Sequence, residues 1–294
     1  MMEKNNASSI LALVHIEKAA GTTLIHILRR NYLFKYCDVR PLSNCTDGFF
    51  QARDLLKMLT INPNLKVIAG HSIVPYSDIQ SEFTNLRFIS LMRNPIDRYI
   101  SQYRHISERK GKNISFEDFL NTESVSNFQA KKIAGMADLK RAIDVINNRF
   151  LLVGISEEFD EFLLFMKHEL SDIDFDPQYE EKNVAGKKVK SDFLRDKYLD
   201  QIIENNSVDL ALYDYIKSSV IPRQIDRYGD TFYSDLKEFR SRKFKRVHTV
   251  LSEYSDYAYR KCYVEPITSI VRRINGLPRK GSYGLFPYPD NQPW

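Results

Sequence analysis

Short apolar runs alternate along the chain with longer stretches in which hydrophobic residues recur at helical spacing. The runs are short enough to be buried strands: Ile10–Ile16, Lys35–Arg40 (the weakest), Leu65–Ala69, Asn85–Met92 and Phe150–Ile155. One helix is predicted directly after the first strand, and others at Phe49–Leu59, Pro95–Glu108, Ser115–Asn121, Asn127–Gly135, Ala137–Asn147, Glu157–Leu170, Ser191–Asn205 and Ser207–Tyr228. Strands alternating with helices favour βαβ units, so the sequence predicts an α/β fold with a mostly parallel central sheet flanked by helices.

The turn between the first strand and the first helix carries the residues expected of a phosphate-binding loop. Backbone N–H groups at a helix start, and the positive end of the helix dipole, attract an anion. Gly21 lets the backbone approach closely, and Lys18 adds a point charge. The turn is not a Walker A loop, because its lysine precedes its only glycine. The predicted anion site consists of Lys18, Ala20, Gly21, Thr22 and Thr23.

A second anion site is predicted where the fourth apolar run ends. Arg93 closes that strand, and Ser101 follows on the next helix, so an arginine fork and a hydroxyl can reach the same phosphate. Asn94 fits the N-cap, Pro95 the first helical position and Asp97 the partner in a capping box. The structural alternative is that this segment is only a well-capped helix with a solvated serine.

The third apolar run ends at Gly70-His71. A neutral histidine can take the proton of a hydroxyl near pH 7; the alternative is that His71 bonds a backbone carbonyl. The turn around Lys18, His71 and Arg93 all follow strands, and ligands of parallel sheets bind at the carboxyl ends of strands. The sequence therefore predicts one composite site.

These motifs resemble those of the PAPS-dependent sulfotransferases, and specifically the carbohydrate O-sulfotransferases of the heparan sulfate 2-O-sulfotransferase type. His15–Thr23 reads HIEKAAGTT and is similar to the family's 5′-phosphosulfate loop, His-Ile-Pro-Lys-Thr-Ala-Gly-Thr-Thr. Arg93–Tyr103 resembles the 3′-phosphate motif, and Gly70-His71 the Gly-His that holds the base. Weaker similarities at Asn127–Gly135, Val153–Asp160 and Asn205–Tyr213 extend the resemblance over roughly Ile10 to Tyr228.

The resemblance implies a P-loop-NTPase-like sulfotransferase fold in residues 1–230, with PAPS as sulfuryl donor, adenosine 3′,5′-bisphosphate as product and no metal. Arg93 and Ser101 would hold the 3′-phosphate, and the amides and hydroxyls of Gly21–Thr23 the 5′-phosphate. Lys18 would stabilise the negative charge on the leaving group. His71 would deprotonate an acceptor hydroxyl, and the acceptor that the resemblance favours is a carbohydrate.

Two residues depart from the family pattern. Glu17 stands where proline is usual, and Ala19 where threonine is usual. An acid beside an anion site is unfavourable, so the Glu17 side chain must turn away from the loop or pair with a cation.

The composition of the chain limits the classes of partner and the cellular location that the sequence predicts. The net charge is +5 and the basic residues are dispersed among acids, so nucleic acid is not predicted as a partner. No signal or membrane span is predicted, and the closeness of the loop to Met1 predicts no stem or anchor before it. Cys37, Cys45 and Cys262 form no Cys-x-x-Cys pair, which indicates neither disulfides nor zinc and favours a cytoplasmic location.

Two regions are left with open alternatives. Residues 172–190 are predicted to be a mobile loop, whose lysines either close over the nucleotide, meet an acidic acceptor or stay solvated: Lys182, Lys187, Lys188 and Lys190. Residues 231–294 form a basic, tyrosine-rich and largely helical extension. It either packs on the first domain or contacts an acidic polysaccharide, a membrane surface or a partner subunit.

Two rival functions remain for the whole chain. One is a P-loop-type kinase or NTPase, which needs a magnesium-binding Walker set. The other is a non-catalytic glycan- or nucleotide-binding module on a sulfotransferase scaffold, against which an intact Lys18 and His71 argue.

Overall fold

Five parallel strands form the central sheet, in the spatial order β2-β3-β1-β4-β5. Their bounds are β1 Ile10–Val14, β2 Tyr36–Asp38, β3 Val67–Gly70, β4 Leu86–Met92 and β5 Phe150–Ile155. Each strand overlaps its predicted run, so the predicted parallel sheet is confirmed. The structure is a computed structural model that describes residues 9–44, 47–109, 114–170, 175–179, 189–242 and 249–277.

The strands are apolar because both faces of the sheet are covered. All residues of β1 are buried, and β4 is buried except at Arg87. Parallel sheets covered on both faces are encoded by continuous hydrophobic runs, which is why these strands could be recognised in the sequence. β1 lies between β3 and β4, and the carboxyl ends of strands at such a central position form a ligand crevice.

Helices fill the connections between the strands and follow the last strand. In the described part of the chain their bounds are α1 Gly21–Asn31, α2 Ala52–Ile61, α3 Ile79–Glu82, α4 Pro95–Arg104, α5 Phe116–Leu120, α6 Phe128–Ala134, α7 Leu139–Arg149, α8 Phe159–Glu169, α9 Val189–Asn205, α10 Ser207–Tyr215, α11 Ile221–Tyr228, α12 Phe232–Ser241, α13 Val250–Tyr259 and α14 Glu265–Ile274. π-helical turns continue α4, α10 and α13 at His105–Arg109, Ile216–Val220 and Arg260–Val264. The predicted α/β fold with a largely helical C-terminal extension is confirmed.

Helix ends differ from the predictions where a cap decides them. The predicted helix at Phe49–Leu59 begins later, at Ala52, because Gln51 and Asp54 form a capping box there. The Gln51 N–H donates to the Asp54 carboxylate at 3.1 Å, and the other carboxylate oxygen accepts the Leu42 N–H at 3.1 Å. A cap of this kind satisfies amide groups that the first helical turn leaves without partners.

Most of the loop predicted at 172–190, including the side chains of its lysines, lies outside the described residues. Its last two residues, 189 and 190, belong to α9, so the predicted loop ends two residues too late. Its described non-helical part, residues 175–179, is attached to the end of α1. Asp176 exchanges two hydrogen bonds with Asn31, at 2.7 and 2.9 Å, and pairs with Arg30 at 2.9 Å. This short part of the loop is therefore tied to the domain.

The C-terminal helices pack beside the β2 edge of the sheet. The buried Asp256 of α13 accepts the Phe34 N–H at 2.7 Å and pairs with Arg260 at 2.8 Å. The buried Arg272 of α14 donates to the Pro41 carbonyl.

The division of the chain into two domains at residue 230 stays a prediction. Among the residues described, no helix is both long and apolar enough to cross a bilayer.

Candidate functional site

The carboxyl ends of β1, β3 and β4 meet at one edge of the sheet. Val14 is paired with Gly70, so the next residues, His15 and His71, are neighbours. From the other side, Arg93 after β4 reaches the turn after β1, where its Nη1 donates to the Lys18 carbonyl at 3.2 Å. The structure thus brings Lys18, His71 and Arg93 together at the predicted edge. Ser101 is half-buried in the second turn of α4.

The turn before α1 is formed by two residues in the left-handed region. Lys18 has φ 67° and Ala20 has φ 58°, a conformation that side chains other than glycine rarely adopt. Ala20 is the N-cap of α1 and has no side-chain acceptor for the first amides of the helix. The Thr23 N–H donates to the Ala20 carbonyl at 3.1 Å, so of the three predicted amides those of Gly21 and Thr22 are the better placed for an anion.

Gly21 is required by packing as well as by the predicted approach to an anion. A Cβ atom at this position would lie 2.2 Å from the His15 ring. No real Cβ approaches a ring so closely, so a larger residue would displace His15 or the start of α1.

A carboxylate lies beside one ring nitrogen of His71, and a second ring covers one of its faces. Its Nδ1 lies 3.1 Å from Glu17 Oε1, and its ring stacks on the ring of His15 with 4.2 Å between centroids. The His71 side chain is 38% exposed, so part of it stays open to solvent. Burial, followed by the charges of His71 and Lys132, lowers the pKa of His15 well below 6.5, and His15 is neutral at pH 7.

Lys132 of α6 is a component of the site that the sequence did not predict. It is completely buried, and its Nζ donates to the His71 backbone carbonyl. Burial lowers the pKa of Lys132 to about 8, against the opposing effect of the Glu17 carboxylate. Lys132 is therefore mostly protonated at pH 7, and its charge interacts electrostatically with Glu17, the acid for which the sequence required a cation. In the sequence, Lys131-Lys132 has the appearance of a solvated helix end, so no local signal points to a buried ammonium.

The backbone of Arg93 is held by a glutamine that reaches it from α6. Gln129 Oε1 accepts the Arg93 N–H at 3.0 Å, and Gln129 Nε2 donates to the Arg93 carbonyl at 2.9 Å. The next amide, of Asn94, donates to Glu157 at 2.9 Å. Three hydrogen bonds from distant parts of the chain thus fix the backbone that carries the arginine.

The start of α4 is capped as predicted at Asn94 but not at Asp97. Asn94 Oδ1 accepts the N–H groups of Ile96 and Asp97, at 3.1 and 3.3 Å. The predicted capping box is wrong, because Glu157 takes the Asn94 N–H and the Asp97 carboxylate pairs with Arg195 of α9. Contacts with distant parts of the chain therefore take the place of the predicted hydrogen bond between the Asp97 carboxylate and the Asn94 N–H.

Gln129 is itself positioned by a reciprocal cap between α6 and α10. Asp209 accepts the N–H groups of Gln129 and Ala130, at 3.0 and 2.7 Å. In return, Asn127 Oδ1 accepts the N–H groups of Val208 and Asp209. Burial raises the pKa of the Asp209 carboxyl, and the charge of the buried Arg98 opposes this shift. These contacts give the Asn127–Gly135 and Asn205–Tyr213 segments a structural role beneath Arg93.

Across the described segments, no group of three or more His, Cys, Asp or Glu side chains is arranged to hold a metal ion.

Comparison with known proteins shows which family the chain is similar to. A comparison with the curated proteins found no match. The sequence profile described as "Sulfotransferase family" matches residues 6–216, well over half of the 294 residues, and covers all five strands and the turn around Lys18. This chain therefore belongs to the sulfotransferase family.

Proposed function

We propose that this protein transfers a sulfuryl group from PAPS to a hydroxyl group of a carbohydrate acceptor, with His71 as the base. The observation that carries the proposal is the meeting of Lys18, His71 and Arg93 at the ends of three adjacent strands. A donor with phosphates at two ends needs two anion sites, and we assign one to the start of α1 and the other to the Arg93 and Ser101 side chains.

The chain's residues fit the two ends of such a donor. Ala20 leaves the first amides of α1 without a side-chain cap, and glycine at position 21 adds no Cβ to the helix start. The amides of Gly21 and Thr22, with the Thr22 and Thr23 hydroxyls, would hold the 5′-phosphate. Arg93 and Ser101 would hold the 3′-phosphate.

In the proposed reaction the bound donor supplies an electrophilic sulfur with adenosine 3′,5′-bisphosphate as leaving group. His71 takes the proton of the acceptor hydroxyl while the acceptor oxygen bonds to sulfur. The bond between sulfur and the 5′-phosphate oxygen breaks, and its electron pair leaves with the bisphosphate. Lys18 stabilises the negative charge that grows on that oxygen. Positioning and fixed cations carry the reaction, without a metal in the proposed mechanism.

Thermal unfolding with two nucleotides separates this proposal from its rivals. We expect adenosine 3′,5′-bisphosphate to raise the unfolding temperature without metal, because binding to the folded state stabilises it. A response only to ATP with magnesium would favour a kinase or NTPase instead.

Turnover then separates an enzyme from a binding module. Radiolabelled PAPS, offered with oligosaccharides, small alcohols and phenols, is expected to label a saccharide hydroxyl. Binding of the bisphosphate with no labelled product from any acceptor would favour the non-catalytic module. Labelling of a phenol alone would keep the sulfotransferase and overturn the carbohydrate acceptor.

A further inference from the structure

We propose that Glu17 is a positioning residue for His71: its carboxylate holds the imidazole with the proton on Nδ1, so that Nε2 is the atom that accepts the substrate proton. The inference rests on the proposed function, in which His71 is the base. It concerns the residue at which this chain departs from the usual proline of the loop.

The contact between the two side chains sets the tautomer. Glu17 Oε1 lies 3.1 Å from His71 Nδ1, at ion-pairing distance. A lone pair on the nitrogen beside a carboxylate would face negative charge, so the tautomer with the proton on Nδ1 is favoured. In a neutral imidazole the other nitrogen, Nε2, then carries the lone pair, and that nitrogen is the one able to act as base.

The surroundings keep the carboxylate charged and the ring in place. Glu17 is 18% exposed and interacts electrostatically with the buried Lys132 ammonium, which favours its ionised form. Lys132 also holds the His71 backbone through the carbonyl. The neutral His15 ring covers one face of His71 and opposes rotation of the imidazole.

The arrangement gives Glu17 a specific part in the proton transfer. When Nε2 takes the proton of the acceptor hydroxyl, His71 becomes an imidazolium with protons on both nitrogens. The Glu17 carboxylate then faces a positive charge that is absent before the transfer, so its interaction is stronger in the transition state than in the ground state. The proton passes from acceptor oxygen to Nε2, and the Nδ1 proton stays on His71.

The tautomer of the His71 imidazole can be determined in the absence of substrate. A two-bond nitrogen–proton correlation spectrum distinguishes the two neutral tautomers, and the His71→Ala spectrum identifies the signals of His71 among the six histidines. We expect the Nδ1–H tautomer in the unmodified protein and a mixed or Nε2–H population in Glu17→Gln. An Nε2–H tautomer in the unmodified protein would overturn the proposal, whether or not any acceptor is sulfated.

Kinetics test the consequence for the reaction. Glu17→Gln is expected to lower kcat by about 10²-fold while the affinity for adenosine 3′,5′-bisphosphate is unchanged, because the amide cannot stabilise the imidazolium. In the His71→Ala background the same substitution should have no further effect on kcat. An equal loss in both backgrounds, or unchanged kcat in the single variant, would show that Glu17 does not act through His71.

A matched control removes the charge of another shielded glutamate. Glu161 is 15% exposed and pairs with Arg240 at 2.9 Å, away from the site. Glu161→Gln should leave kcat and the His71 tautomer unchanged. A kcat loss in Glu161→Gln as large as that in Glu17→Gln would assign the effect to general destabilisation and contradict a positioning role.

Discussion

The turn after β1 and the segment after β4 each bring a cation to the same edge of the sheet, yet they are held by different interactions. Around His71 the contacts are charged: Glu17 faces its ring, and the buried Lys132 donates to its backbone carbonyl. At the Arg93 backbone the hydrogen bonds come from a neutral side chain, with Gln129 binding both the N–H and the carbonyl of the arginine. The carboxylates on this side, Glu157 and Asp209, bind the neighbouring amides.

This difference predicts different sensitivities. Buried charges are costly to separate and respond to pH, whereas a satisfied amide network responds to geometry and hardly to pH. We therefore expect the β1 side to respond to charge substitutions and pH, and the β4 side to the loss of one hydrogen-bonding side chain.

The largest expected effect is on stability at the β1 side. Lys132→Met keeps the apolar stem but removes the ammonium, and should lower the free energy of unfolding by about 3 kcal/mol at pH 7. The double variant with Glu17→Gln should lose less than the sum of the single losses, because both changes remove one shared interaction. Urea unfolding followed by circular dichroism measures these values, and strict additivity would contradict the coupling of the two charges.

The same lysine predicts a pH dependence. The folded protein releases the Lys132 proton near pH 8, whereas the unfolded chain holds it up to about 10.5, so between these values the unfolded state binds more protons. The free energy of unfolding of the unmodified protein should therefore rise across this range relative to Lys132→Met. Parallel pH dependences in the two proteins would mean that Lys132 titrates normally in the fold.

The next largest expected effect is a loss of turnover when a proposed catalytic residue of the β1 side is replaced. Lys18→Ala should lower turnover by about 10²-fold or more, because the charge that opposes the developing negative charge is removed, and His71→Ala should do the same through loss of the base. The control is Lys57→Ala, which removes a lysine of α2 that donates to Ser43 at 2.8 Å. Near-normal turnover in Lys18→Ala would contradict the proposed function.

On the β4 side, Gln129→Leu should weaken binding of adenosine 3′,5′-bisphosphate by about tenfold, because the Arg93 backbone loses two hydrogen bonds. Calorimetric titration at several pH values should give nearly the same loss throughout. Gln224→Leu is the matched control, since this buried glutamine donates to the Val153 carbonyl at 2.9 Å away from Arg93. A similar loss of affinity in both variants would show that Gln129→Leu acts by destabilising the fold and not through the Arg93 backbone.

The sheet and the principal motifs could be predicted because their signals are local. β1 and β4 are continuous apolar runs, and the turn around Lys18 and the start of α4 follow them directly in the sequence. Even the meeting of His71 and Arg93 at one edge followed from a general property of parallel sheets.

What the sequence did not predict depends on register and on distant segments. The pairing of Val14 with Gly70 stacks His15 on His71, and no local pattern specifies that register. Lys132 resembled a solvated lysine because its burial is decided by how α6 packs under the sheet edge. The capping box at Asp97 failed because Glu157, sixty residues on, reaches the same amide.

The smallest predicted effect compares the two helix starts directly. Ala20→Gly should raise the free energy of unfolding by about 0.5 kcal/mol, because relief of the left-handed strain slightly exceeds the entropic cost of glycine. Asn94→Gly at the start of α4 should instead lower it by a few tenths of a kcal/mol, since the cap on Ile96 and Asp97 is lost. Thermal unfolding of both variants without nucleotide measures the two signs. A loss of stability in both variants would mean that the turn at Ala20 is not strained, and a gain in both would mean that the Asn94 cap does not stabilise the start of α4.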